Sequence, residues 1–207
     1  MHIILIVLFT LFSMASYAAE NPQEVIKRTA DALMKDVFEL RSQIDSNPEL
    51  ISKLADEYAS PYFDYSAMTK SSLGRFWQLA SSEQQKQLTT EFKKLLIKTY
   101  GTALLGMSDK LSIEYPSYRY TSGDTRVIVP TRMQLHGGPT VPVNYHAVLN
   151  NDTWKVTDIT IDGISLVTNY RSSFAREIQL GSRESKNTRD GISRLISRLK
   201  AKNNSSF

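Results

Sequence analysis

The hydrophobic period of this chain changes once, close to Gly106, and that change constrains the fold more than any other feature. Before it, apolar residues recur at alternating spacings of three and four, which is typical of helices with one buried face. After it, β-branched and aromatic residues recur with period two, and turn residues separate the runs. Helices followed by a meander of antiparallel strands predict an α+β fold whose helices cover one face of the sheet.

Helix start signals are clear along the first half of the chain. Asn21 and Asn47 are each followed by a proline, so each pair supplies an N-cap and a first helical residue. Ser81, with Gln84 three residues later, supplies another capped start. Helices are predicted over residues 21–44, 47–58, 64–72 and from 81 to Gly106, and two more over residues 169–180 and 190–202.

Four strands are predicted over residues 111–120, 125–136, 140–150 and 154–161. The joints between them are short and rich in Gly, Asn and Asp, which indicates antiparallel hairpins. Pro130 and Pro142 cannot donate a ladder hydrogen bond, so we expect both at edges or bulges of the sheet.

The first 18 residues have the character of a cleavable secretory signal. Residues 3–12 are apolar except for Thr10, and Ser16 and Ala18 place small side chains where a signal peptidase reads. The run is shorter than the roughly 20 apolar residues of a membrane-spanning helix, although a retained anchor is the alternative. We predict cleavage after Ala18, leaving residues 19–207 as one domain with a basic helical appendage at 182–207.

Composition narrows the chemistry. The absence of cysteine excludes disulfides, thiolate metal sites, a Cys nucleophile and a lipid anchor on Cys. The net charge of +4 resides in the tail, where residues 171–207 hold nine Lys or Arg against three Asp or Glu. An exported protein rarely meets nucleic acid, so this helix is predicted to contact an acidic partner or anionic lipid, or to be merely solvated. Arg194, Arg198 and Lys200 are the candidate docking residues.

Few residues form a catalytic or metal-binding pattern. His136 and His146 lie on adjacent predicted strands and could form a metal pair, but no third ligand follows at recognisable spacing, so we expect edge histidines and no metal. Asp158 and Asp162 could act as acid and base if buried together. The simpler interpretation is that Asp162-Gly163 forms a turn while Asp158 caps a helix or pairs with an arginine. These residues by themselves thus form no recognisable catalytic centre, and the acid–base pair stays open as the alternative.

Large apolar side chains are concentrated in segments that should face one another. Composition alone favours a filled core over a cavity. From the helices this set comprises Leu73, Phe76, Trp77, Phe92, Leu96, Tyr100 and Leu104, and from the sheet it comprises Val129, Met133, Val143 and Tyr145.

Three blocks of sequence resemble the periplasmic phospholipid-carrier family of the lipid-asymmetry (Mla) pathway of Gram-negative bacteria, also called the toluene-tolerance auxiliary family. The first block comprises residues 63–65, Met68 and residues 73–77, and the second comprises residues 92–96 with Thr99 and Tyr100. The third and most specific block comprises residues 154–158 running into 161–167 and 169–174. The resemblance extends over residues 20–200.

This resemblance implies a nuclear-transport-factor-like cone with extra helices, holding phospholipid tails between a curved sheet and the helices. The resemblance also implies no enzyme activity and no cofactor. The phospholipid would be cargo, and every member of the apolar set except Phe76 becomes an expected lipid contact. The implied partners are an inner-membrane ABC transporter complex with a lipid-binding ring protein and an outer-membrane lipoprotein associated with a porin. A periplasmic binding protein for another apolar small molecule is the alternative.

Overall fold

The computed structural model describes residues 19–101, 111–135 and 138–205, with the side chain of Leu135 excepted. The predicted signal at residues 1–18, Leu104 and His136 lie outside the described residues. The described helices are α1 (Pro22–Glu39), α2 (Arg41–Ser46), α3 (Leu50–Leu54), α4 (Tyr65–Leu73), α5 (Ser82–Leu96), α6 (Leu166–Ser185) and α7 (Thr188–Asn204). Shorter helical turns are Ala55–Ala59 and Ile97–Gly101, both π turns, and the 3₁₀ turns Ser60–Tyr62 and Gly74–Leu79.

The predicted caps form as local hydrogen bonds. The Asn21 side chain accepts from the Gln23 amide at 2.9 Å, with Pro22 as the first residue of α1. At α5 the capping box is reciprocal: Ser81 Oγ accepts from the Gln84 amide, and the Gln84 side chain accepts from the Ser81 amide. These bonds satisfy backbone donors that no helix can satisfy internally at its first turn.

The first two predicted helices are more broken than the periodicity indicated. A single helix over residues 21–44 is wrong, because Leu40 leaves helical geometry and α2 begins at the next residue. Because of the break, Ile44 packs with Val37, Ile51 and Leu54 in a small cluster that we call the N-terminal core. The helix predicted over residues 47–58 likewise changes into a π turn after Leu54.

Among the described residues, the sheet has five antiparallel strands in the order β1 (Leu111–Glu114), β2 (Arg126–Leu135), β3 (Thr140–Asn150), β4 (Thr153–Ile161) and β5 (Ile164–Ser165). β1 is shorter than predicted and ends before Pro116. Pro130 lies beyond the end of the β1 pairing and Pro142 beyond the end of the β4 pairing, so each lies where one neighbouring ladder has stopped. Both prolines were expected at edges or bulges; they lie instead on inner strands, at positions where only one of the two neighbouring ladders continues.

A β-bulge changes which residues of β4 face the helices. His146 pairs with Asp158 and Ala147 pairs with Val156, so Thr157 is an extra residue in β4. Trp154 and Val156 therefore face inward before the bulge, and Ile159 and Ile161 face inward after it. The bulge therefore keeps these apolar residues on one face of the sheet, although Val156 and Ile159 are three residues apart.

Two further cores complete the α+β body. The sheet core contains Val25, Val127, Val129, Ala147, Trp154 and Val156. The helical core joins α4 and α5 to α6 and α7, and includes Leu73, Phe92, Phe174, Ile178 and Ile192. The α+β prediction is confirmed, with the helices packed over one face of the antiparallel sheet.

Candidate functional site

An apolar cavity of about 420 Å³ lies between the inner face of the sheet and the helices. The N-terminal core, the sheet core and the helical core border it through Ile51, Tyr145 and Leu96 respectively. Protein interiors rarely contain voids larger than a water molecule, so an opening of this size among packed cores indicates a binding space. Its described lining comprises Leu33, Ile51, Ala55, Ala59, Phe63, Tyr65, Met68, Leu96, Ile97, Tyr100, Gly101, Leu111, Met133, Val141, Val143, Tyr145, Ile159, Ile161 and Leu166.

The sheet supplies the cavity floor in successive rows across the strands. Tyr145 on β3 pairs with Ile159 on β4, and Val143 pairs with Ile161. The next row along β3 is Val141, which pairs with Met133 on β2. Alternate residues point to the same face of a strand, so this strip of β3 presents two valines and a tyrosine to the cavity.

Irregular turns form part of the helical wall. Both π turns, Ala55–Ala59 and Ile97–Gly101, contribute lining residues. Gly101 lies so close to Ile51 that a Cβ there would be 2.9 Å from Ile51 Cγ1. π turns are rare in proteins overall, and those that occur are often found at functional sites. The small residues Ala55, Ala59 and Gly101 also leave space that larger side chains would fill.

The polar groups of the lining are neutral phenols. Burial raises the pKa of Tyr145 to about 12, and a hydrogen bond with Thr131 acts in the opposite direction. Burial also raises the pKa of Tyr100 to about 12, with Tyr170 nearby contributing in the same direction. No charged residue is among the described lining residues. An apolar ligand that enters the cavity therefore removes no charged side chain of the lining from water.

An ion pair lies beside the cavity wall. Lys93 on α5 lies 2.6 Å from a carboxylate oxygen of Asp56 in the first π turn. The same ammonium lies 5.2 Å from the centre of the Tyr65 ring, which lines the cavity. Lys93 therefore links the N-terminal helices to the helical core beside the cavity.

The predicted lipid contacts fall into three groups. Leu96, Tyr100, Met133, Val143 and Tyr145 line the cavity. Leu73, Trp77, Phe92 and Val129 are not among the residues lining it, and Leu104 lies outside the described residues.

The exceptions are explained by their neighbours. The Phe92 ring makes edge contacts with the Tyr170 and Phe174 rings, at centroid distances of 4.9 and 5.1 Å. Leu73 is buried in the helical core and Trp77 packs against it. Val129 is fully buried in the sheet core. These side chains fill the space between elements and do not border the cavity.

Several lining residues were missed from the sequence. They include Ile51 and Ala59 in the N-terminal helices, Tyr65 and Met68 in α4, and Ile159 in β4. Tyr65 and Met68 stood in a family-like block, which was the available signal for them. Ala59 carried no signal, because a small side chain borders a cavity only when its neighbours leave the space open.

The basic C-terminal helix is partly engaged within the protein. Arg194 Nε lies 2.7 Å from Glu177, and Arg194 Nη1 lies 2.5 Å from Glu184, both on α6. Arg198 lies 3.7 Å from Glu177 and remains 72% exposed in its side chain, and Lys200 is exposed. Arg194 thus fastens α7 to α6, while a docking role for the three residues stays a prediction.

The candidate acid pair has a structural role. Asp158 Oδ1 accepts from the amides of Ile159 and Val167, and Asp158 Oδ2 accepts from the Ser165 hydroxyl at 2.5 Å. Asp162 and Gly163 form the turn between β4 and β5, with positive φ angles of 49° and 78°. The interpretation of Asp158 as a cap and of Asp162 as a turn residue is confirmed.

His146 bonds to the Thr160 hydroxyl at 2.7 Å. Within residues 19–101, 111–135 and 138–205, no three His, Asp or Glu side chains are arranged to hold a metal ion. In the same part of the chain, none of the helices combines the length and apolar character needed to cross a bilayer.

The fold and cavity define an α+β protein that encloses an apolar chamber between a sheet and its helices. The family model described as MlaC protein matches residues 27–201, and the chain belongs to the MlaC family.

Known proteins of this family resemble this chain over most of their length. The toluene tolerance protein ttg2D of Pseudomonas putida is 26% identical over 197 residues, covering 95% of this chain and 91% of that protein. The intermembrane phospholipid transport system binding protein MlaC of Haemophilus influenzae is 22% identical over 160 residues, covering 76% and 74%. A solved phospholipid-binding protein from Ralstonia solanacearum, in complex with a phospholipid, superposes with a TM-score of 0.76 at 29% identity, covering 89% of this chain and 97% of that one.

Proposed function

We propose that this protein is a phospholipid carrier that holds acyl chains in the 420 Å³ cavity while the head group stays at its opening. The observation that carries the proposal is the lining: large apolar side chains, neutral phenols and no described charge. The related Ralstonia solanacearum protein, similar over nearly its whole length, was solved with a phospholipid.

The energetics favour a carrier for such a cargo. Each methylene removed from water contributes about 0.8 kcal/mol, so two unshielded acyl chains face a barrier on the order of 20 kcal/mol in crossing an aqueous gap. An enclosed apolar cavity lowers that barrier without any chemical step. We accordingly propose transport and no catalysis, with phospholipid as cargo.

The site of action we propose is the periplasm, reached through cleavage of the N-terminal signal after Ala18. There the protein would exchange phospholipid with an inner-membrane ABC transporter complex that includes a lipid-binding ring protein, and with an outer-membrane lipoprotein associated with a porin. Such exchange would maintain the lipid asymmetry of the outer membrane. Membership of the MlaC family supports this assignment, as does a relative named as an intermembrane phospholipid transport binding protein.

The deciding experiment is mass spectrometry of lipid extracted from the protein purified from the periplasm. We expect diacyl phospholipid in near-stoichiometric amount. Recovery of a different apolar small molecule would favour the alternative carrier function, and recovery of no ligand after gentle purification would contradict the phospholipid proposal.

A further inference from the structure

A second, smaller apolar chamber lies directly behind the main cavity. Its volume is about 90 Å³, and it is covered by α1. Four of the described residues line both spaces, and we call them the partition: Leu33, Ala59, Phe63 and Tyr145. The two spaces therefore lie back to back, with single side chains between them.

The small chamber continues the row of β3 residues that floors the main cavity. Val141, Val143 and Tyr145 line the main cavity, and Ala147, the next inward-facing residue, lines the small chamber. At about 3.4 Å per residue, the path from Val141 to Tyr145 is roughly 14 Å, and extending it to Ala147 makes roughly 20 Å. An acyl chain in one bilayer leaflet spans about 15 Å, half of the hydrocarbon core. A chain of that length lying along β3 therefore ends at the partition, and the carbons of a longer chain need space beyond it.

The walls of the small chamber suit a hydrocarbon terminus and nothing larger. Trp154, Val156 and Val25 are buried behind it, and Ile26 and Ala30 cover it from α1. Ligand pockets usually exceed about 300 Å³, so this chamber is too small for a separate ligand. It is several times larger than the roughly 15 Å³ that one water-sized group requires.

We infer that the small chamber is the subsite for the terminal methylene and methyl groups of a bound acyl chain, and that it sets the longest chain the protein accepts. The inference rests on the proposed function, because it assumes an acyl chain in the main cavity. The chain end would enter past Ala59, the smallest member of the partition.

The test measures binding of lysophospholipids whose single saturated chains run from about ten to about eighteen carbons. In the unaltered protein each added methylene should raise the affinity about fourfold until the chamber is full. Ala30→Leu places three more carbons in the chamber, so the rise should stop two to three carbons earlier and the longest chains should lose about tenfold or more in affinity. Ile26→Ala enlarges the chamber and should let the rise continue to longer chains.

Ala32→Leu is the matched control on the same helix, because Ala32 is not among the described residues lining either space. It should leave the chain-length profile unchanged. An identical profile in Ala30→Leu, Ile26→Ala and the unaltered protein would overturn the subsite while leaving lipid binding intact. Failure of the unaltered protein to bind any lysophospholipid would instead count against the proposed function.

Discussion

Gly191 of α7 lies against the backbone of Ile178 in α6, so that a Cβ on Gly191 would be 2.2 Å from the Ile178 carbonyl oxygen. A side chain there would also meet the Ser182 amide nitrogen at 3.0 Å. Both are backbone atoms, which cannot move aside as the end of a flexible side chain can. The contact between the two C-terminal helices therefore depends on a missing side chain.

Gly191→Ala should force α6 and α7 apart and expose part of the helical core. We expect a loss of about 2–3 kcal/mol in the free energy of unfolding, as for other overpacked sites. Urea denaturation followed by circular dichroism measures it. Ser197→Ala, at an exposed position of α7, is the control and should change stability by less than about 0.5 kcal/mol. Equal midpoints for the two variants would refute the close packing.

Val143→Asp should reduce the amount of phospholipid that co-purifies, because Val143 lines the cavity and an unpaired carboxylate there has no partner. Val148→Asp is the matched control, since Val148 is on the same strand but points to the opposite face. Lipid phosphorus per protein, measured after periplasmic purification, should fall several-fold only in the first variant. Unchanged loading in Val143→Asp would mean that the cavity does not hold the lipid.

Lys93→Ala should loosen the cavity wall, because it removes the ion pair with Asp56 and the contact with the Tyr65 ring. Partly exposed pairs contribute only about 0–1 kcal/mol, so global stability should change little. Transfer of a fluorescent phospholipid to acceptor vesicles should nevertheless become faster, and the charge-swapped double variant Lys93→Glu with Asp56→Lys should restore the slower rate.

Lys35→Ala is the control for this experiment, because it removes an exposed ion pair with Glu39 within α1. Its transfer rate should equal that of the unaltered protein. The same rate in Lys93→Ala would show that the Lys93–Asp56 pair has no influence on release.

Asp158→Ala should destabilise the start of α6 without altering lipid binding. The carboxylate accepts from two amides and one hydroxyl, and loss of a helix cap costs about 1–2 kcal/mol. Thermal unfolding gives the stability, and the lysophospholipid titration gives the binding. Asp124→Ala, in the loop before β2, should leave both quantities unchanged. A strong loss of lipid binding in Asp158→Ala at unchanged stability would argue against a purely structural role.

Tyr145 should make the stability sensitive to alkaline pH. Its pKa is raised from the ordinary 10.0 to about 12 in the folded protein, chiefly by burial. The folded state therefore retains the phenol proton between about pH 10 and 12 while the unfolded state loses it, so stability falls as pH rises through this window. Over that pH range, the free energy of unfolding of Tyr145→Phe should fall by about 2 kcal/mol less than that of the unaltered protein. Urea denaturation at each pH measures this difference. Parallel curves would contradict the burial of the phenol.

Local signals in the sequence predicted local structure well. The caps at Asn21 and Ser81 formed as expected, since their hydrogen bonds reach only two or three residues along the chain. The period change at Gly106 predicted the α+β class for the same reason, because the period reports which face of each element is buried. The break after Glu39 was not predicted, because Ile44 turns toward the distant residues Ile51 and Leu54.

The sequence by itself determined which side chains are apolar and which helices and strands carry them, because these properties depend on composition and short spacings. Only the tertiary structure decided which apolar side chains face empty space. Phe92 and Leu96 lie on one stripe of α5, yet Phe92 packs against the rings of α6 while Leu96 borders the cavity. The physical reason is that a cavity exists where neighbouring elements fail to meet, and that depends on the spacing of α1, α5 and the sheet after folding.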